Sequence, residues 1–363
     1  MTWSWTLTLY VARQFTSAVM IVFGAFLILS LSIDLADLFS HATQKSMPAE
    51  IVFGMSLLML PEIGGKVLPF AVLFGAILAF ARMSRTHELV ATRAAGVSAW
   101  QFLTPPLAVA LSLGLLAMMA LSPVSAAFLS QYARLDAKYI HGQASQLAVG
   151  TTGLWLRQGD AGHQSVIHAL KVSEQGTRLG EVIVFLYDGP DRFAGRIDAA
   201  SAELRDHYWR LEKTWVSGPD GRPVAIPTYD LPTDLTPARI QESFASPETI
   251  SFWDLPQFIA AAEDAGFSAN RHRLYWYSLL TLPLLLSAMV LMAASFSLRL
   301  ARLGGVPQLV IAAALSGFAV YFLGDVTQAL GISGILPTPL AAMAPAAVAL
   351  LIGLTLLFYE EDG

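Results

Sequence analysis

The chain has 363 residues, 55% of them hydrophobic and only 13% charged, against about 25% charged in a water-soluble domain, so much of it never meets water. It contains no cysteine, which excludes disulfides, thiolate metal sites, cysteine nucleophiles and iron–sulfur clusters. The net charge of −5, with no basic stripe, speaks against a nucleic-acid partner.

The charges are unevenly placed. Between Arg134 and Arg273 stand 14 of the 22 Lys and Arg and 18 of the 27 Asp and Glu, while the other 223 residues hold 17 charges. The chain therefore reads as a soluble block, residues 134–273, between two membrane blocks, residues 1–133 and 274–363.

A spanning helix needs about 20 apolar residues. Gln14 to Ile33 is free of charge and reads as the first span. It is too long for a signal peptide, and no small-residue cleavage site follows. Asp34 and Asp37 stand near its outer end, where water can solvate them. Ile51 to Leu60 is also apolar, but Pro61, Gly64 and Gly65 break the run. A bent or re-entrant approach is expected there, leading into a second span centred on Val67–Ala81.

Residues 84–96 are expected to form a short cytoplasmic helix. Ser84 or Thr86 can cap its start and Gly96 can supply a left-handed stop. Arg85, Glu88 and Thr92 share a polar side, and Leu89 and Val90 give apolar contacts. Arg82, Arg85 and Arg93 are explained by anchoring on the inner side of the membrane. Glu88 is not, and a helix that receives a push from a cytoplasmic motor is the other open reading.

Ala94 to Ala133 carries no charge over 40 residues, and Pro105, Pro106 and Pro123 bracket the third span within it. The charged block that follows reads as strands at Thr151–Arg157, Ser165–Val172, Gly180–Tyr187, Ile197–Leu204 and Tyr208–Val216, separated by turn residues. Trp209, Leu211 and Trp215 alternate with Arg210, Glu212 and Thr214, as in a strand with one wet face. Short strands without intervening helices suggest a sandwich, jelly roll or open barrel. Val182 to Leu186 leaves no polar face, so this strand has two surfaces to hide. Whether the apolar interior is filled or accepts a lipid chain stays open.

Phe252–Ala265 reads as a helix with Leu255, Phe258, Ile259 and Ala262 on one face. It lies either beside the membrane or against the strands. Leu274–Leu298, Leu303–Gly324 and Leu340–Phe358 are the last three spans. Asp325 interrupts the apolar run after the fifth, in a functional or helix-capping position. Arg in the short loops puts both termini inside and the charged block outside.

Evident catalytic chemistry is missing. Gly64-Gly65-Lys66 lacks the upstream glycine spacing of a phosphate loop, and Val67 stands where Ser or Thr would hold magnesium. His87-Glu88 lacks the second His of a helical zinc motif, and no Gly-x-Ser-x-Gly occurs.

The order of elements resembles the YjgP/YjgQ (LptF/LptG) family, the paired permeases of the lipopolysaccharide export transporter. Arg85-Thr86-His87-Glu88-Leu89 followed by Ala95-Gly96 is similar to the family's coupling helix. Gly153-Leu154-Trp155 is similar to the opening strand of its jellyroll. Arg271 to Leu300 and Tyr321-Phe322-Leu323-Gly324-Asp325 are similar to its fourth and fifth spans. Gly153-Leu154-Trp155 and the span-five acid are more like the LptG than the LptF type.

The resemblance implies six transmembrane helices with an inserted periplasmic all-β, jellyroll-like domain, in the inner membrane. It implies a permease that takes lipopolysaccharide from that membrane and passes it through its β-domain. The implied partners are an LptF-like permease, a dimeric LptB-like ATPase that uses ATP and magnesium, an LptC-like single-span protein and a periplasmic LptA-like bridge. No cofactor is expected on this chain itself. Arg85, Glu88 and Leu89 would couple to the ATPase, and Trp155, Ile183, Val184 and Phe185 would line a lipid path. Relatives carry basic residues near the outer end of span one, where this chain has Asp34 and Asp37. Headgroup contact is therefore assigned to Lys45, Arg134 and Lys138. A membrane-anchored scaffold whose β-domain binds a periplasmic protein, without lipid cargo, is the reading from another class.

Overall fold

A computed structural model of the chain describes residues 5–45, 48–139, 146–150, 153–159, 163–173, 176–188, 192–218, 221–233, 235, 246–264, 268–300 and 306–361. The chain divides into two compact units, Met1–Tyr132 with Leu274–Gly363, and Ala133–Arg273. Among the described residues six helices are long and apolar enough to cross a membrane, and an antiparallel sheet is inserted in the chain between the third and fourth.

In the helical unit, α1 is Trp5–Lys45 and α2 is Ala49–Arg85. At 41 and 37 residues they are about 60 and 55 Å long, well beyond the roughly 30 Å of a hydrocarbon layer. The short helix α3 is Glu88–Ala94. Span three starts as α4, Ala99–Leu116, passes through a π turn at Ala117–Leu121 and continues as α5, Ser122–Tyr139. The π turn lies just ahead of Pro123, whose ring would otherwise meet the carbonyl one turn back. The last three spans are α7, Asn270–Leu300, α8, Val306–Ile332, and α9, Thr338–Glu361; α6 belongs to the other unit.

The break expected at Pro61 does not occur. Both Pro61 and Pro69 lie inside a continuous α2. A proline removes one amide donor, but where no water competes the rest of the ladder holds. Gly64 is there for contact, since a Cβ on it would meet the ring of Phe23 at 3.3 Å. Tighter approaches join other helices. A Cβ on Gly75 would sit 2.6 Å from Val19 Cα, and one on Gly114 would sit 2.4 Å from Pro283 Cα. Small residues bring backbones together where apolar burial gives no drive to associate. The core this makes includes Phe15, Val72, Leu73, Phe80, Leu103, Ala110, Leu286 and Val290.

Among its described residues the second unit holds a seven-stranded antiparallel sheet in sequential order. The strands are β1 Gln146–Gly150, β2 Gly153–Gly159, β3 His163–Ser173, β4 Arg178–Asp188, β5 Arg192–Arg205, β6 Tyr208–Ser217 and β7 Pro223–Pro232. Five of these were expected, and β1 and β7 were not. β7 carries Pro223, Pro227 and Pro232 and is the last strand of the described sheet. The sheet curls, because Gln158 at the end of β2 donates to Pro232 O at 3.2 Å and accepts from Thr233 Oγ1 at 2.6 Å. Leu154, Leu156, Ile167, Val184, Ile197, Trp209, Leu211 and Leu231 fill the inner face. The helix α6, Leu255–Asp264, lies against β1 with Leu255, Ile259 and Ala262 buried. Of the two expected positions for this helix, packing on the strands is the one found.

The inner face does not follow strict alternation. Along β3 to β6, successive inward residues step by three at one row: Ala169 to Val172, Leu179 to Val182, Ala199 to Ala202 and Leu211 to Thr214. The residues passed over include Glu181 and Lys213, at φ 53° and 52°. The ladder skips the same row, pairing Gly180 with Ser201 and Val182 with Ala199, and Glu212 with Thr228 and Thr214 with Ile226. A left-handed residue bends β4 and β6 there, and the inward side changes over along that row in all four strands. Trp215, expected beside Trp209 and Leu211, is therefore 54% exposed, while Thr214 is buried and donates to Ile226 O at 2.7 Å.

Holding a non-glycine residue in the left-handed region costs about 1–2 kcal/mol. Lys213→Gly should then leave the sheet as stable as before or slightly more so. Lys213→Val, with a branched side chain that resists φ > 0, should destabilise it by about 1–2 kcal/mol. Urea-dependent pulse proteolysis of the β-unit within the full chain checks both.

Candidate functional site

The turn between α2 and α3 is the most specific arrangement in the helical unit. α2 runs through Arg85, so neither Ser84 nor Thr86 begins a helix as expected. The N-cap of α3 is His87, at φ 57°, with no side-chain capping bond. That left-handed turn folds Glu88 back beside Thr86, whose Oγ1 donates to Glu88 Oε1 at 2.8 Å. Tyr10 Oη of α1 donates to Glu88 Oε2 at 3.0 Å. Thr92 Oγ1 closes on Glu88 O at 2.7 Å. Gly96, at φ 82°, ends the segment as expected.

Leu89 faces inward. It lines a small apolar cavity of about 20 Å³ with Phe80, Thr92, Phe102, Leu103 and Ala294. Arg85, Val90, Ala91, Arg93 and Ala94 are exposed, with Val90 at 62%, and Arg93 also lines the cavity beside Leu89. Of the three residues assigned to coupling, Arg85 faces out, while Glu88 and Leu89 hold α3 onto the helical unit.

Lys45 and Lys138 lie in helices, but their side chains fall outside the described set; Arg134 is exposed on α5. Asp37 is exposed, and Asp34 is half-buried with Ser56 of α2 and Asp37 as its electrostatic neighbours. Asp325 is no cap, because α8 continues to Ile332. It lines a cavity of about 150 Å³ with Lys66, Phe70, Thr281, Tyr321 and Gln328.

Glu62 was missed by sequence reading. It is buried inside α2, accepts from Ser125 Oγ at 3.0 Å, and lies 3.1 Å from Lys66 Nζ one turn on. The expected helix break at Pro61 hid it, since an acid beside a break reads as solvated.

The four residues of the expected lipid path do not share a face. Val184 is buried on the inner face. Trp155, His168, Ile183, Asp198 and Trp215 form one cross-strand row on the outer face, with the Trp155 and His168 rings tilted against each other, centres 4.1 Å apart. Phe185 is also outside, with the Arg196 guanidinium 5.9 Å from its ring centre. At the skipped row, the Glu181 carboxylate lies 2.6 Å from Lys171 Nζ and holds that ammonium's pKa above its ordinary value.

The chain is 26% identical to the lipopolysaccharide export system permease protein LptG of Escherichia coli K12, across 97% of this chain and 98% of that protein. The LptG of Escherichia coli O6:H1 strain CFT073 matches to the same extent. The sequence profile described as lipopolysaccharide export system permease LptF/LptG matches residues 9–359. A match over nearly every element, from α1 through the sheet to α9, places this chain in the LptF/LptG family of lipopolysaccharide export system permeases.

Proposed function

We propose that this chain is the transmembrane permease subunit of an ATP-driven transporter. It takes lipopolysaccharide from the inner membrane and passes it along its β-unit toward the outer membrane. The observation that carries the reading is the built docking element: α3 is held from beneath by Glu88 and Leu89, with Arg85, Val90 and Arg93 exposed. The ATPase that binds there is a dimeric LptB-like subunit, which holds the ATP and magnesium. An LptF-like permease completes the membrane part, and LptC-like and LptA-like proteins receive the lipid. Both termini and α3 are cytoplasmic and the sheet is periplasmic. Lys66, beside Asp325 in the cavity, joins Lys45, Arg134 and Lys138 as a contact for the headgroup phosphates.

Orientation is read by thiol labelling, because the chain is free of cysteine. Val224→Cys and Val90→Cys both place a thiol at exposed positions, 59% and 62%. An impermeant reagent on spheroplasts should label the first and miss the second; the opposite pattern inverts the topology.

Docking is read by detergent copurification and mass spectrometry. The wild-type chain should bring down an ATPase. Val90→Asp, which sets a charge at the centre of the exposed face, should weaken that retention by about tenfold or more. Retention at the wild-type level would move the docking surface away from α3.

The filled inner face of the sheet favours the other reading, a scaffold that binds protein and carries no lipid. Leu156, Val184 and Trp209 are all fully buried, so lipid passage requires the curled sheet to open. A photo-crosslinker at Val184 should capture lipopolysaccharide only while ATP is hydrolysed, and one at Ile183, on the outer face, should capture less. Silence at both positions in an assembled complex would favour the scaffold.

A further inference from the structure

Tyr10 and Glu88 are 78 residues apart in sequence, yet the phenol hydroxyl of α1 meets the first residue of α3. The direction of that bond is fixed on both sides. Gln14 Nε2, one turn along α1, donates to Tyr10 Oη at 3.2 Å, which leaves the phenol's single proton for Glu88. Thr86 Oγ1 lies 2.8 Å from the other carboxylate oxygen, nearer than Arg82 O at 3.1 Å and Met83 O at 3.3 Å, which compete for its one proton. Among the described residues no ion pair holds Glu88, so hydroxyl donors alone set its position.

Among the described residues, α1 is the least enclosed of the six spans. Val11, Phe15 and Val19 pack it into the core. That packing seats α1 on α2, where Val19 closes on Gly75. A charge-assisted hydrogen bond adds a directional link from α1 to α3, since it weakens steeply with distance and angle. Leu89 therefore seats α3 on the helical unit, whereas Glu88 fixes it to one place on α1.

We infer that Tyr10 is a positioning residue that ties the docking helix to the first span, so that a displacement of α3 is delivered to α1 directly and not through α2. The inference rests on the proposed docking of an ATPase at α3, and it adds the route by which that motion enters the membrane.

The tether itself is read on the chain alone, in nanodiscs. Spin labels at Val90→Cys on α3 and Met20→Cys on α1 should give one narrow distance distribution by pulsed electron resonance. Tyr10→Phe keeps the ring and removes the hydroxyl, and should broaden that distribution. Glu88→Gln, with Tyr10 in place, keeps an acceptor and should leave the distribution narrow. Tyr10→Phe with Glu88→Ala should be no broader than Glu88→Ala alone, as for two halves of one contact.

The coupling role is read on the complex with its ATPase, using purified lipopolysaccharide as the probe. Tyr10→Phe should lower the ratio of stimulated to basal hydrolysis by about tenfold, the scale of one charge-assisted hydrogen bond. An unchanged distance distribution would overturn the tether. A broadened distribution with an unchanged stimulation ratio would overturn the coupling role. Failure of the wild-type chain to retain any ATPase would instead overturn the docking reading, and the coupling role with it.

Discussion

Within an apolar layer a backbone amide or carbonyl has no water to turn to, so each must find its partner in the chain itself. That constraint shapes the helical unit down to its side chains. Thr16 donates to Ala12 O, Ser32 to Ile28 O, Thr104 to Trp100 O, Ser112 to Ala108 O, Ser287 to Pro283 O and Thr355 to Leu351 O. Each hydroxyl returns to its own helix, one turn back. The same constraint keeps α2 intact through two prolines and assigns contact between helices to glycine. A buried acid is admitted at Glu62 only with a hydroxyl donor and a lysine beside it.

The spans were legible because the signal is long: a charge-free run of twenty residues has few other uses. Their ends were not, since α1 and α2 continue past the apolar runs through ordinary polar residues that helix propensity alone accepts. Strands β2 to β6 were legible from their turns. β1 is five residues long and β7 carries three prolines, which reads as loop. The exchange of faces at Glu181 and Lys213 left no mark, because glycine is the usual sign of a left-handed residue and neither position has one. In β6 the expected inward Trp215 and outward Thr214, which lie beyond that row, were therefore reversed.

The candidate site was half legible. The left-handed stop at Gly96 and the odd acid at Glu88 are local features of one loop. Tyr10 is not, because a lone tyrosine near the start of a span is ordinary at a membrane surface and its partner lies two helices further on. Only the folded chain brings the two together. The cavity that joins Lys66 to Asp325 was hidden for the same reason, since it is assembled from α2, α7, α8 and α9.

The three prolines of β7 have a consequence for how this sheet meets others. A proline offers no amide to a neighbouring strand, and prolines on an outermost strand are a known guard against unwanted pairing. β1, at the other margin, runs Gln146-Leu147-Ala148-Val149-Gly150 and has its full set of amides. The described sheet is thus polar as a building block. One margin is closed to extension by its own sequence, and at the other a foreign strand would have to begin beside α6, which lies against β1.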